Sequence, residues 1–157
     1  MDLIDIAQNI LRDCMGAKQG EEVLIVTDDS RVNIAQALYK GAVNLGCEAM
    51  MMVMKERELN GEEPPKAVAE AMKAADIVIC PTAKSLTHTN ARIRAAETGT
   101  RVATMPGITE KMFSQGAMTA DYAAVEQLTA RITGMLTASK TARIEKDGCV
   151  LTLNLDG

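Results

Sequence analysis

The chain has 157 residues, enough for one domain whose folded form buries roughly two-thirds of the surface its unfolded form exposes. With no Trp, one Phe and two Tyr against eleven Met, its core is aliphatic, and flexible Met side chains fill the gaps that rings would occupy. The net charge of −4 mixes both signs without a run of Lys or Arg, which excludes the electrostatic footprint of a nucleic-acid binder.

Leu3, Ile4, Ala7, Ile10 and Leu11 recur at helical spacing and predict an opening amphipathic helix that ends near Gly16. After Gly20, Val23 to Val26 is a short β-branched run of the kind buried on both faces of a parallel sheet. It ends in Thr27-Asp28-Asp29-Ser30, any of which can cap the next helix, whose apolar positions Ile34, Ala35, Leu38, Ala42 and Leu45 run to a stop at Gly46. Ala49 to Met54 is the second strand, Pro64-Pro65 opens a helix through Val68, Ala71 and Met72, and Asp76 to Cys80 is the third strand.

A helix from about Thr89 to Thr98 leads through Gly99 to a fourth strand, Arg101 to Thr104, broken by Met105-Pro106-Gly107. A short helix near Glu110 to Phe113 precedes a longer one, Tyr122 to Leu136, with Val125, Leu128, Ile132 and Leu136 on one face. Strands alternating with helices at this spacing predict an α/β fold: a Rossmann-like or flavodoxin-like doubly wound parallel sheet in three layers. The closing segment breaks the rhythm, because Thr141 to Lys146 and Cys149 to Leu155 alternate apolar and polar residues around Asp147-Gly148 and so predict a β-hairpin. A hairpin with nothing after it leaves unpaired edges. Residues 1–139 are therefore read as an α/β domain and 140–157 as a hairpin beginning a second, omitted domain; the alternative is a terminal hairpin packed on the sheet edge.

The longest apolar stretch, Ala49 to Met54, falls far short of the roughly 20 residues that span a bilayer, and Met1-Asp2-Leu3-Ile4-Asp5 lacks the basic start of a signal peptide. The expectation is a cytoplasmic protein without a membrane partner. Cys14, Cys47, Cys80 and Cys149 lie more than thirty residues apart and are accompanied by a single His, so no zinc ribbon or redox pair is indicated. Cys47 and Cys80 sit in apolar runs as small buried hydrophobes.

In an open α/β sheet, ligands bind beyond the carboxyl ends of the strands. Neither glycine-rich phosphate motif occurs, and Asp28-Asp29 would repel a phosphate at the first of these ends. The third strand end is the richest, running Pro81-Thr82-Ala83-Lys84-Ser85-Leu86-Thr87-His88-Thr89-Asn90-Ala91-Arg92 with hydroxyls, the single His and a guanidinium. His88 is the candidate acid or base and Arg92 a candidate carboxylate anchor. If a helix begins by Lys84, then Lys84, His88 and Arg92 share a face; if it begins after Thr87, only His88 and Arg92 can, and Ser85 or Thr87 is its cap. One His cannot anchor a nucleophile-base-acid triad. Pro106 and Gly107 turn the chain at the fourth strand end, next to the third loop if consecutive strands are neighbours.

That third-loop run, together with Gly99-Thr100-Arg101-Val102-Ala103-Thr104-Met105-Pro106-Gly107-Ile108-Thr109, resembles the N-terminal domain of the thermophilic metalloaminopeptidase family, the aminopeptidase T or leucyl aminopeptidase-like type related to dihydroxypyridine dioxygenases. Gly148 to Leu153 looks like the point where that family enters its second domain. The resemblance implies a parent hydrolase, commonly dimeric, that removes N-terminal residues from peptides with zinc or cobalt held in its C-terminal domain. Iron chemistry on a small-molecule substrate is the dioxygenase alternative. It implies no metal ligand in this chain, which alone would be inactive. The candidate cleft-lining residues are Thr82, Ser85, Thr87, His88, Arg92, Pro106 and Gly107. The rival from outside the family is a stand-alone α/β module that binds a small ligand.

Overall fold

The computed structural model describes residues 2–156. It divides after Ala120 into two compact units. The first carries helices α1 (Leu3–Asn9), α2 (Val32–Asn44), α3 (Lys66–Ala74), α4 (Asn90–Glu97) and α5 (Glu110–Ser114). Its strands are β1 (Glu22–Asp28), β2 (Glu48–Met54), β3 (Ile77–Thr82) and β4 (Arg101–Pro106). All four are parallel, in the order β2-β1-β3-β4. This is the doubly wound, three-layer arrangement the alternation predicts.

The period-2 geometry of β1 and β3 explains the three layers. Val23, Ile25, Ile77 and Ile79 face one core, built with Ile6 and Leu11 from the amino-terminal helical segment, Leu38 of α2 and Phe113 of α5. Leu24, Val26, Val78 and Cys80 face the other, built with Val68 and Met72 of α3 and Ala91 and Ala95 of α4. Strands sandwiched in this way need apolar residues at consecutive positions, which is why they read as unbroken aliphatic runs. Phe113, the chain's one phenylalanine, is fully buried.

Local chemistry sets the element ends. Asp2 caps α1 by accepting from Ile4 N and Asp5 N, while Asp5 accepts from Asp2 N, a reciprocal capping box. Ile10–Cys14 continues α1 as a π-helical turn, so the opening helix extends past Leu11 as a different, wider coil. β4 runs through Met105 and Pro106, which pair with Pro81 and Thr82, rather than breaking after Thr104. Pro106 is tolerated because β4 is an edge strand, and the turn falls on Gly107, whose φ of 67° suits glycine.

The second unit contains α6 (Tyr122–Thr137) and the antiparallel hairpin of β5 (Thr141–Lys146) and β6 (Cys149–Asn154). The expected boundary at residue 139 leaves α6 with the first domain, whereas in the structure it groups with the hairpin. Asp147 (φ 51°) and Gly148 (φ 78°) form the two-residue turn, both in the left-handed region such a hairpin requires. Ala142 opposite Leu153 and Ile144 opposite Leu151 make one apolar hairpin face. Neither this hairpin nor α6 contains a buried residue; Ile132 is 45% and Leu151 53% exposed. No helix among the described residues is long and apolar enough to cross a membrane.

Two positions test this packing. A Cβ added at Gly41 of α2 would sit 3.0 Å from Ala7 Cβ and 3.1 Å from Gln8 N of α1. Gly41→Ala should therefore destabilise the protein by about 1–2 kcal/mol in urea unfolding, although alanine is the better helix former by about 1 kcal/mol. Arg101, at the start of β4, donates to Met15 O and Gly16 O and pairs with Glu21 at 2.6 Å. That guanidinium, and next the Lys18 N–H, hold the Glu21 carboxyl below its ordinary value. A depressed carboxyl stabilises the fold above its unfolded pKa and loses that effect as pH falls through the folded one. Wild type should thus exceed Glu21→Gln by up to about 1 kcal/mol at neutral pH, with the gap closing below about pH 4.5.

Candidate functional site

The carboxyl ends of β1 and β3 meet where the chain leaves in opposite directions: after β1 it enters α2 over one face, and after β3 it enters α4 over the other. Crevices at such a switch point commonly take ligands. Here Asp28, 1% exposed, occupies it. One side-chain oxygen accepts from Ser30 N and Ser30 Oγ, and the other from Ala83 N at 2.6 Å. Thr27 Oγ1 adds a bond to Pro81 O at 2.9 Å. Asp28 caps the 3₁₀ turn Asp29–Arg31, whereas α2 itself, preceded by Arg31, has no side-chain cap. The capping reading of this acidic run is thus right for Asp28 but attaches to the short turn before the helix.

The β3–α4 loop brings several candidates together. Ser85 Oγ donates to Thr87 Oγ1 at 3.0 Å, Thr87 Oγ1 bonds Thr104 Oγ1 at 2.8 Å, and Arg92 Nε donates to Thr87 O at 2.8 Å. Thr104, a β4 residue outside the predicted lining, is the hydroxyl that anchors this row. Asn60 Oδ1 accepts from Ser85 N, and Gly61 N donates to Ser85 O, so the β2–α3 loop laces onto the same segment. Thr82 is buried and bonds Lys84 O, while Gly107 N donates to Thr82 O, which places Thr82, Pro106 and Gly107 at the joined ends of β3 and β4.

His88 stands apart. It is exposed, and no hydrogen bond or ion pair of its side chain occurs among the described residues. α4 starts at Asn90 with Thr89 as its cap, Thr89 Oγ1 accepting from Arg92 N. Neither expected helix face therefore forms, because Lys84 and His88 both precede the helix, and the cap is Thr89 rather than Ser85 or Thr87. Glu63 completes that helix start by accepting from Asn90 N and Ala91 N.

No imidazole or carboxyl group among the described residues is bonded to the hydroxyl row. Among the described residues no three His, Cys, Asp or Glu side chains gather as a metal ion requires. Cys47 and Cys80 are buried, and burial pushes the Cys80 thiol up to about 12, which leaves it an inert packing group. Sequence reading passed over a further group at this edge: Arg31, Asn33 and Glu110 line a cavity between the starts of α2 and α5. An arginine directly before a helix was the available signal; Glu110 enters only through folding.

These features define a three-layer α/β unit with a polar carboxyl edge. No protein-family model matches the chain, and no curated protein matches it. Among solved structures it is similar to 2,5-dihydroxypyridine dioxygenase from Pseudomonas putida KT2440, with a TM-score of 0.74 at 13% identity over 98% of this chain and 47% of that one. A fatty acid ABC transporter substrate-binding protein from Thermomonospora curvata is similar with a TM-score of 0.51 at 14% identity, over 87% and 40% of the two chains. AmpT from Thermus thermophilus aligns at a TM-score of 0.42 and 16% identity, over 66% and 35%. At these identities the likeness to the dioxygenase and the substrate-binding protein is one of fold alone. This chain spans less than half the length of each.

The switch-point clamp yields a stability test. Asp28→Ala leaves Ala83 N–H and Ser30 N–H without their acceptor in a partly buried setting, and should cost about 2 kcal/mol in chemical unfolding.

Proposed function

We propose that this chain is the non-metal-binding domain of a larger metal-dependent enzyme, an aminopeptidase that removes N-terminal residues from peptides, and that its carboxyl edge walls the substrate cleft. The observation that carries the multidomain part is the second unit, where α6 and the hairpin present apolar faces with no buried residue. Apolar faces of this extent favour a covering surface, which in this reading a further domain of the same polypeptide would supply. The fold match supports the same reading, since it takes in nearly all of this chain and under half of the dioxygenase. The choice of peptide hydrolysis rests on the resemblance of the third and fourth strand-end motifs to the aminopeptidase T type.

In this reading a divalent metal, zinc or cobalt, is held outside these residues and activates water for attack on the peptide carbonyl. This chain contributes binding: the Ser85–Thr87–Thr104 hydroxyls and Arg92 lie at the edge available to orient a peptide, with His88 exposed beside them. A second reading, an iron-dependent dioxygenase acting on a hydroxylated pyridine, is favoured by the fold match to such an enzyme.

The 157-residue chain alone should show no tight stoichiometric zinc or cobalt binding by calorimetry and no cleavage of leucine p-nitroanilide. Tight stoichiometric binding would overturn the proposal. In the intact parent enzyme, cobalt-dependent cleavage of that substrate is expected, and iron-dependent turnover of 2,5-dihydroxypyridine in its place selects the second reading. His88→Ala in the parent should lower kcat while changing stability by less than about 0.5 kcal/mol, as suits an exposed side chain without partners.

A further inference from the structure

The β2–α3 loop closes on itself and then onto the β3–α4 loop. Glu62 accepts from Glu58 N at 2.7 Å and from Leu59 N at 3.3 Å, which folds this stretch into a tight turn containing Asn60 and Gly61. Gly61 has a φ of 82°, a conformation that favours glycine, so the turn itself calls for the smallest residue after Asn60. Both residues are exposed, yet both bond the same partner: Asn60 Oδ1 accepts from Ser85 N and Gly61 N donates to Ser85 O, each at 2.8 Å.

An asparagine followed by glycine cyclises readily, because the bare glycine Cα does not obstruct the approach of its nitrogen. Of the chain's asparagines, Asn60 alone precedes glycine. The Gly61 nitrogen, once deprotonated, attacks Asn60 Cγ; the Cγ–Nδ2 bond breaks and ammonia leaves, giving a cyclic imide. Water then adds to one imide carbonyl and opens the ring, giving aspartate or, when the α-carbonyl is attacked, β-linked isoaspartate. The net change is water taken up and ammonia released, with no oxidant or reductant.

The two bonds to Ser85 act on this reaction in opposite directions. Ser85 N–H polarises the Asn60 carbonyl in the sense that favours attack. Ser85 O holds the Gly61 proton, and a bonded amide yields its proton to solvent base only after the bond opens. Attack cannot begin before that proton is gone, so the second effect decides.

We infer that Asn60 is a self-modification site gated by Ser85. The closed latch shields Asn60 despite its exposure, and each opening releases Gly61 N–H to deprotonation. In an isoaspartate product the main chain runs through Cγ and is longer by one methylene, so the spacing of the paired bonds is lost and the latch cannot close again. The event detaches the β2–α3 loop from the segment that carries Ser85 and Thr87, whatever reaction a parent enzyme performs.

The chain is incubated folded and in concentrated urea at one pH and temperature, digested, and read by peptide mass spectrometry. Conversion at Asn60 should be roughly tenfold or more slower in the folded chain, the factor expected for two hydrogen bonds that open together. Folded Glu62→Ala, which loosens the turn, should convert faster relative to its own unfolded rate than wild type does. Equal folded and unfolded rates, or a ratio unaltered by Glu62→Ala, would overturn the gating, and no conversion at Asn60 in urea overturns the site itself. Should that variant fail to fold, sub-denaturing urea on wild type replaces it. Conversion should then rise in step with hydrogen exchange at the Gly61 amide, and conversion that stays flat while exchange rises overturns the inference. The isoaspartyl chain, refolded, should exchange its Ser85 amide faster than the unmodified chain; unchanged protection overturns the one-way closure.

Discussion

Asp28 holds the two central strands together at the point where their chains part. After β1 and β3 the backbone leaves for opposite faces of the sheet, and the crevice this opens has free N–H groups on its floor. In many α/β proteins a ligand satisfies them. Here the protein's own side chain does so, bonding Ala83 N across the crevice and Ser30 on its own strand end. With Thr27 bonded to Pro81 O, the ends of β1 and β3 become one rigid edge.

With the switch point filled, the polar groups of the carboxyl edge lie to either side of it. On one side, the β3–α4 loop is tied to β4 by the Thr87–Thr104 bond and to the β2–α3 loop by Asn60 and Gly61, leaving a row of hydroxyls with Arg92 behind it. On the other, α2 and α5 diverge enough to leave the Arg31 cavity, bridged by Asn33 and Glu110. Both are built on a scaffold held by two aliphatic cores.

The second unit follows a different logic. Its hairpin turn is locally determined by Asp147 and Gly148, and α6 by its 3.6-residue period with Asp121 capping its start. Yet the apolar stripe that justifies α6 and the apolar face of the hairpin remain in contact with water. Elements patterned for burial are thus among the most exposed in the described residues.

The sequence by itself determined the strands, the order of the elements and the hairpin, because consecutive aliphatic residues, helical periodicity and an Asp-Gly turn are local signals with local physical causes. It also placed Cys47 and Cys80 in the interior. What only tertiary structure decided was which polar groups meet. The bond of Asp28 to Ala83 spans 55 residues and that of Asn33 to Glu110 spans 77, so no periodicity could announce them. Likewise Glu63, from a different loop, accepts from Asn90 N and Ala91 N at the start of α4, a partner that the local sequence there does not announce. Local patterns fix where the backbone goes; long-range hydrogen bonds, settled by sheet order and packing, fix which side chains are left to face a ligand.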